Sequence, residues 1–229
     1  AACRKPLRWR GIWNSRRSFS GGPWRDGLSV GTSGNLSIYV PEAGLMAITP
    51  SGLDYEATTP ADIVVMDLDA HVVEGERKPS SEWALHTAFY RQYPAARAVV
   101  HTHSMYCTVL ACLGKPLEAV HYAIAAAGAA RVPVAPYRLF GTPELAEAAV
   151  ETCGEGKAVL LGNHGLVVWE SSLPKAFALA RDLEFTAELQ WRAMAVGTPN
   201  ILTDGQMAEA LERFKTYGQP KKQDAKNTN

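Results

Sequence analysis

Two apolar runs, Ala158-Val159-Leu160-Leu161 and Leu166-Val167-Val168-Trp169, are separated only by Gly162-Asn163-His164-Gly165. Apolar runs of this length, bounded by turn-forming residues, read as buried strands joined by a tight glycine-flanked turn. Around them, short β-rich runs and longer helical stretches follow one another. Leu36-Ser37-Ile38-Tyr39-Val40 alternates, Pro41-Glu42-Ala43-Gly44 turns and Leu45 to Thr49 returns, the pattern of a β-hairpin. Ile63 to Met66, Val72-Val73, Ala98 to His103 and Val132 to Ala135 are further strand candidates. Helices are expected from Pro79-Ser80-Ser81-Glu82 to Pro94, with Ser80 or Ser81 as N-cap, over 104–113, over 117–128 and over 173–196. Another spans 142–152 with Thr142 as cap and Pro143 at the first position, and a last one runs from a capping Asp204 to Lys215. No repeat, linker or low-complexity tract divides the chain, so 229 residues make one α/β domain.

Composition removes several function classes. No apolar run approaches the roughly 18 residues that span a bilayer, so membrane insertion is not expected. Lys+Arg and Asp+Glu are both 23, and this balance carries no nucleic-acid footprint. The balance hides an asymmetry. Arg4, Lys5, Arg8, Arg10, Arg16, Arg17 and Arg25 crowd the N-terminus against the single acid Asp26, leaving an acidic body. Residues 1–27, with Trp9, Trp13 and Trp24 among arginines and glycines, show no helical or strand period and no apolar secretory core. The abrupt change at Leu28 reads as a frame-shifted or misassigned translation. The four cysteines, Cys3, Cys107, Cys112 and Cys153, form no CxxC pair. Cys107 and Cys112 lie in an apolar stretch and are expected to be buried and reduced, as in a cytoplasmic protein.

Chemistry concentrates at three places. His101 and His103 stand two apart at the end of a strand, where alternate side chains share a face and two imidazoles can grip one metal ion. His164, in the turn between the two buried strands, is displayed at a sheet edge. Three neutral histidines make an open Zn²⁺ site with a fourth position free. Glu82 begins a helix. By itself it reads as a carboxylate favoured by the helix dipole; beside a metal it can complete the shell or act as general base. Three small-residue loops, Gly31-Thr32-Ser33-Gly34-Asn35, Thr49-Pro50-Ser51-Gly52 and Ser80-Ser81, are each a bland turn alone. Together with a three-histidine site they indicate a metal enzyme for a phosphorylated substrate.

From about Leu28 to Tyr217 the chain resembles the class II aldolase/adducin family. The resemblance is carried by G-T-S-G-N-L-S at 31–37, I-T-P-S-G-L-D-Y at 48–55, K-P-S-S-E-W at 78–83 and A-V-V-H-T-H at 98–103. It continues in H-Y-A-I-A-A-A-G at 121–128, P-Y-x-x-F-G-T at 136–142, N-H-G-L at 163–166 and F-K-T-Y-G at 214–218. It implies a domain over 28–218, followed by a polar tail at 219–229, with a largely antiparallel central sheet and helices on both faces. It implies one Zn²⁺ per subunit on His101, His103, His164 and Glu82, with Glu82 also shuttling the proton. Thr32, Gly34, Asn35, Ser51, Gly52, Ser80 and Ser81 match a phosphate pocket, and Tyr122, Phe140 and Tyr217 match residues bordering the aldehyde. The family assembles as a homotetramer, in which the counterpart of Tyr122 reaches a neighbouring subunit's site.

The implied reaction is reversible cleavage of L-fuculose 1-phosphate, or a related deoxy-ketose 1-phosphate, to dihydroxyacetone phosphate and L-lactaldehyde through a metal-stabilised enediolate. A pentulose-phosphate 4-epimerase of the L-ribulose-5-phosphate type would share the zinc and phosphate residues. A non-enzymatic adducin-like module has no need of the three histidines and Glu82, and a structural zinc site would be closed by four ligands and lack phosphate loops.

Overall fold

Strand β1 (Asn35–Val40) turns at Gly44 into β2 (Leu45–Ile48), and the hairpin continues into β3 (Val64–Asp67) and β4 (Val72–Glu74). This meander is the left half of an eight-stranded sheet in a computed structural model that describes residues 27–55 and 57–216. On its other edge β1 pairs with β5 (Ala98–Thr102), which pairs with β8 (Gly165–Glu170), then β7 (Ala158–Leu161) and β6 (Val134–Ala135). Every pairing is antiparallel except β6 with β7. The expected antiparallel α/β fold is therefore present. The expectations for residues 1–26, for Tyr217 and for the 219–229 tail lie outside the described residues.

The period of two along each strand builds a core on each face. Ala98 and Val100, Ala158 and Leu160, and Leu166 and Val168 join one cluster. Val99, Val159 and Leu161, and Val167 and Trp169 join the other. The first is covered by α2 (Met105–Cys112), α4 (Leu173–Val196) and α5 (Asp204–Phe214). The second is covered by α1 (Trp83–Gln92) and α3 (Pro143–Cys153). In α4, buried Leu173, Ala176, Leu179, Ala180, Leu183 and Ala187 recur at three- and four-residue spacing, the stripe by which a 24-residue helix lies along a sheet.

Four expectations are corrected. The 117–128 stretch is not one helix: Leu117 exchanges two backbone bonds with Val132, and only Tyr122–Ala127 coils, as a 3₁₀ helix. The Leu117 carbonyl, which in a continuous helix would accept from the N–H of residue 121, is committed to Val132 instead, overriding the helix preference of the alanine run. Helix α1 starts at Trp83, not at the serines, because Ser51 N donates to Lys78 O and Ser80 N to Thr49 O, keeping the chain extended through Ser80. Thr203, not Asp204, caps α5 in a capping box with Gln206. Cys107 is buried against α4, but Cys112 falls off that face and is exposed.

Candidate active site

The site stands where β1, β5, the β7–β8 turn and the start of α1 meet. Antiparallel register places Asn35 directly opposite His101. His103 follows immediately after β5. His164 sits in the turn between β7 and β8, after Asn163 at φ 55°. Gly165 allows the turn to pass beneath β5. A Cβ there would collide with the Thr102 carbonyl oxygen and stand 3.1 and 3.3 Å from the rings of His103 and His101. Gly34, at φ +82°, is the same kind of contact on the other side, with the His101 carbonyl oxygen 2.7 Å from where a Cβ would stand.

The three imidazoles meet edge to face, with ring centroids 4.8 to 4.9 Å apart. Their ligand nitrogens lie within 4.8 Å of one another. His101 Nε2 is 3.1 Å from His103 Nε2 and 3.2 Å from Glu82 Oε2, while His164 Nε2 is 3.5 Å from Glu82 Oε1. Ligands bound tetrahedrally at 2.0–2.1 Å stand about 3.3 Å apart, so this donor set fits a zinc-sized divalent ion. His101 Nδ1 donates to Leu166 O at 3.0 Å, which leaves Nε2 as the ligating nitrogen. Glu82 Oε1 is buried without a hydrogen-bond partner, an arrangement that favours a cation facing it.

Electrostatics set His101 apart from the other two imidazoles. Burial holds His103 and His164 down at about 4, with the charge of His101 adding to it, so both are neutral near pH 7, the form that ligates metal. Burial also opposes charge on His101 and Glu82, but each stabilises the other. His101 is raised above its ordinary value and Glu82 lies well below the usual carboxylate range, with His164 and the Asn35 amide assisting.

Above the histidines opens a cavity of about 410 Å³. Thr32, Gly34, Asn35, Ser51, Gly52, Ser80 and Ser81 all line it, together with Glu82, His103, His164 and Phe140. The loops at 49–52 and 78–81 face one another because the backbone bonds that delay α1 tie them together. Asn35 also donates from Nδ2 to Glu82 Oε2 at 2.8 Å. Tyr122 is not brought into this cavity: it lies on the 3₁₀ helix, 58% exposed, beside His121 and Phe214. Tyr217 lies outside the described residues.

The structure adds residues that the sequence reading did not single out. Tyr137 and Arg138 line the cavity, and among the described lining residues Arg138 is the one lysine or arginine. The P-Y-x-x-F-G-T motif pointed to this loop but left position 138 open. Behind Glu82, His86 and Ser37 are fully buried polar side chains; a histidine one helical turn from Glu82 was the available signal.

A family model, the Class II Aldolase and Adducin N-terminal domain, matches residues 22–191. The 5-deoxy-D-ribulose 1-phosphate aldolase of Bacillus thuringiensis serovar kurstaki is 46% identical over 193 residues, 84% of this chain and 90% of that protein. The L-fuculose phosphate aldolase of Escherichia coli O6:H1 is 44% identical over 195 residues, 85% of this chain and 89% of that protein. Among solved structures, an L-fuculose 1-phosphate aldolase superposes with a TM-score of 0.84 at 40% identity, covering 93% of this chain and 98% of its own.

Proposed function

The chain belongs to the class II aldolase and adducin family and is a metal-dependent aldolase; from that premise we propose that it uses zinc to cleave a deoxy-ketose 1-phosphate reversibly. The observation that carries this reading is the convergence of three imidazoles and an unpartnered carboxylate oxygen at the floor of a cavity lined by serine and glycine loops. His101, His103 and His164 would hold the zinc, with Glu82 as the fourth donor. When bound there, zinc supplies a Lewis acid for the substrate carbonyl.

The chain's own groups do the rest. The hydroxyls of Thr32, Ser51, Ser80 and Ser81 and the backbone at Gly34 and Gly52 bind the phosphate, and Asn35 links this loop to the base. Glu82 moves the proton. Its Oε2 stays on the Asn35 amide, so Oε1 handles the proton: in condensation it takes the proton from the carbon of dihydroxyacetone phosphate beside the carbonyl, and in cleavage it returns that proton to the same carbon as the bond to the aldehyde carbon breaks. Phe140 and Tyr217 border the aldehyde. Tyr122 donates a hydrogen bond to the aldehyde oxygen from a neighbouring subunit of a homotetramer. Its exposure, with Phe185 and Trp191 also exposed, supports an interface on this side of the molecule. The buried free thiols of Cys107 and Cys153 are in keeping with a cytoplasmic protein.

L-Fuculose 1-phosphate and 5-deoxy-D-ribulose 1-phosphate, named by the two relatives, share the dihydroxyacetone phosphate half. They differ only in the aldehyde released, lactaldehyde against acetaldehyde. The phosphate loops serve both equally, and L-fuculose 1-phosphate is the first substrate to test. Purified protein is expected to release dihydroxyacetone phosphate from it, and a chelator should abolish the release. No release from either ketose phosphate by folded, zinc-loaded protein would overturn the aldolase assignment. A kcat/KM favouring the five-carbon substrate would transfer the proposal to it.

A further inference from the structure

Behind Glu82 a line of polar side chains runs through the otherwise apolar core between β1 and α1. Asn35 Nδ2 donates to Glu82 Oε2 at 2.8 Å, and Asn35 Oδ1 is 2.5 Å from His86 Nε2. His86 Nδ1 is 2.6 Å from Ser37 Oγ, which is 2.6 Å from the Tyr90 hydroxyl. All five residues are buried, with His86 and Ser37 at 0% exposure. The line alternates between the two elements. Glu82, at the N-cap of α1, and His86 and Tyr90 within it recur every four residues, about 6 Å at 1.5 Å per residue. Asn35 and Ser37 recur every two along β1, about 6.8 Å. The near-equal spacings let helix and strand interleave.

The direction of every bond is forced from one end. A carboxylate only accepts, so Asn35 must present its NH₂ to Glu82 and its carbonyl to His86. His86 then carries its proton on Nε2 and is bare at Nδ1. Ser37 must donate to Nδ1, and its oxygen accepts from Tyr90. Burial, with the charge of His101 adding to it, keeps the His86 pKa at about 3, so this pattern of donors and acceptors persists at neutral pH.

We propose that His86, backed by Ser37 and Tyr90, is a positioning residue for Glu82: its Nε2–H locks the Asn35 amide in the one orientation that donates to Oε2 and leaves Oε1 to react. An asparagine amide has nearly the same shape when flipped, but flipped it would set an oxygen against the carboxylate. Glu82 by itself favours that orientation, but without His86 the amide carbonyl loses its donor in the line and the amide is held at one end only. The inference rests on Glu82 being the base, as proposed above.

Two measurements test it separately. The first uses ¹⁵N NMR of metal-free protein to read the tautomer of His86. The Nε2–H form with a bare Nδ1 is expected, and the Nδ1–H form would overturn the line whatever the enzyme does. The second uses cleavage kinetics. His86→Leu is expected to lower kcat by about tenfold or more with KM within about twofold, while His86→Gln, which keeps a donor towards Asn35, recovers most of the loss. Equal losses in both variants would mean that His86 only fills space and would overturn the proposal, as would an unchanged kcat in His86→Leu. Should His86→Leu fail to fold, Ser37→Ala removes a single oxygen one bond further back. A fall in kcat of a few fold at constant KM is expected, and no fall overturns the proposal. A wild-type protein inactive on both ketose phosphates would sink the functional assignment instead, and the tautomer alone would then decide the hydrogen-bond line.

Discussion

Glu82 has two oxygens in different surroundings: Oε2 accepts from Asn35 and Oε1 has no hydrogen-bond partner. Glu82→Gln keeps the shape and loses the charge. Three imidazoles remain, so the variant should retain bound metal by elemental analysis while kcat falls by about 10² to 10⁴. Wild-type turnover in a metal-loaded Glu82→Gln would remove Glu82 from proton transfer. His86 makes a different prediction, on stability. Its pKa is near 3 in the folded protein and near the ordinary 6.5 once unfolded. Between those values only the unfolded chain binds the proton, so this contribution to stability falls as the pH drops from about 6.5 towards 3, by about 1.4 kcal/mol per unit. Urea titrations should therefore show a shallower acid loss for His86→Gln than for the wild type across pH 6.5 to 4. Parallel curves would mean that His86 is protonated in the fold.

At the scale of elements, the β7–β8 turn is what brings His164 to the β5 histidines, and it can do so only because Gly165 has no side chain. Gly165→Ala would push a methyl group into the Thr102 carbonyl and the two rings. It should lower metal occupancy several fold while the far-ultraviolet circular dichroism stays native. Full occupancy would show that the turn can shift without cost to the site. This turn was legible in the sequence, as were the strands beside it, because apolar runs and flanking glycines are local signals. The histidines were legible too, since spacing on a strand and display in a turn need no knowledge of what packs where. Other features needed long-range pairing. The bridge between Leu117 and Val132 undid an alanine-rich helix, and the bonds from Ser51 and Ser80 to the facing loop delayed α1 to Trp83. The Asn35–His86–Ser37 line joins residues about fifty positions apart, and only the register of β1 on β5 and its packing against α1 bring them together.

At the scale of the whole molecule, the residues proposed to bind phosphate, to act as base and to hold the metal all come from one chain, yet Tyr122 stands outside their cavity on an exposed face. A donor for the aldehyde oxygen supplied from a neighbouring copy makes each site depend on two chains, which gives the proposed tetramer a chemical role. Complementation tests this directly. Tyr122→Phe and Glu82→Gln subunits should each be nearly inactive as pure assemblies. If they are unfolded together and refolded as a mixture, some sites combine an intact Glu82 from one chain with an intact Tyr122 from the next. In an equal, random, closed ring of subunits about one site in four has that combination, so activity should recover to about a quarter of the wild-type value. Recovery must also depend on subunit exchange, so mixing the two assemblies without unfolding should give nothing. Refolded mixtures that remain as inactive as their parents, while sedimenting as tetramers, would mean that Tyr122 does not act across a subunit boundary.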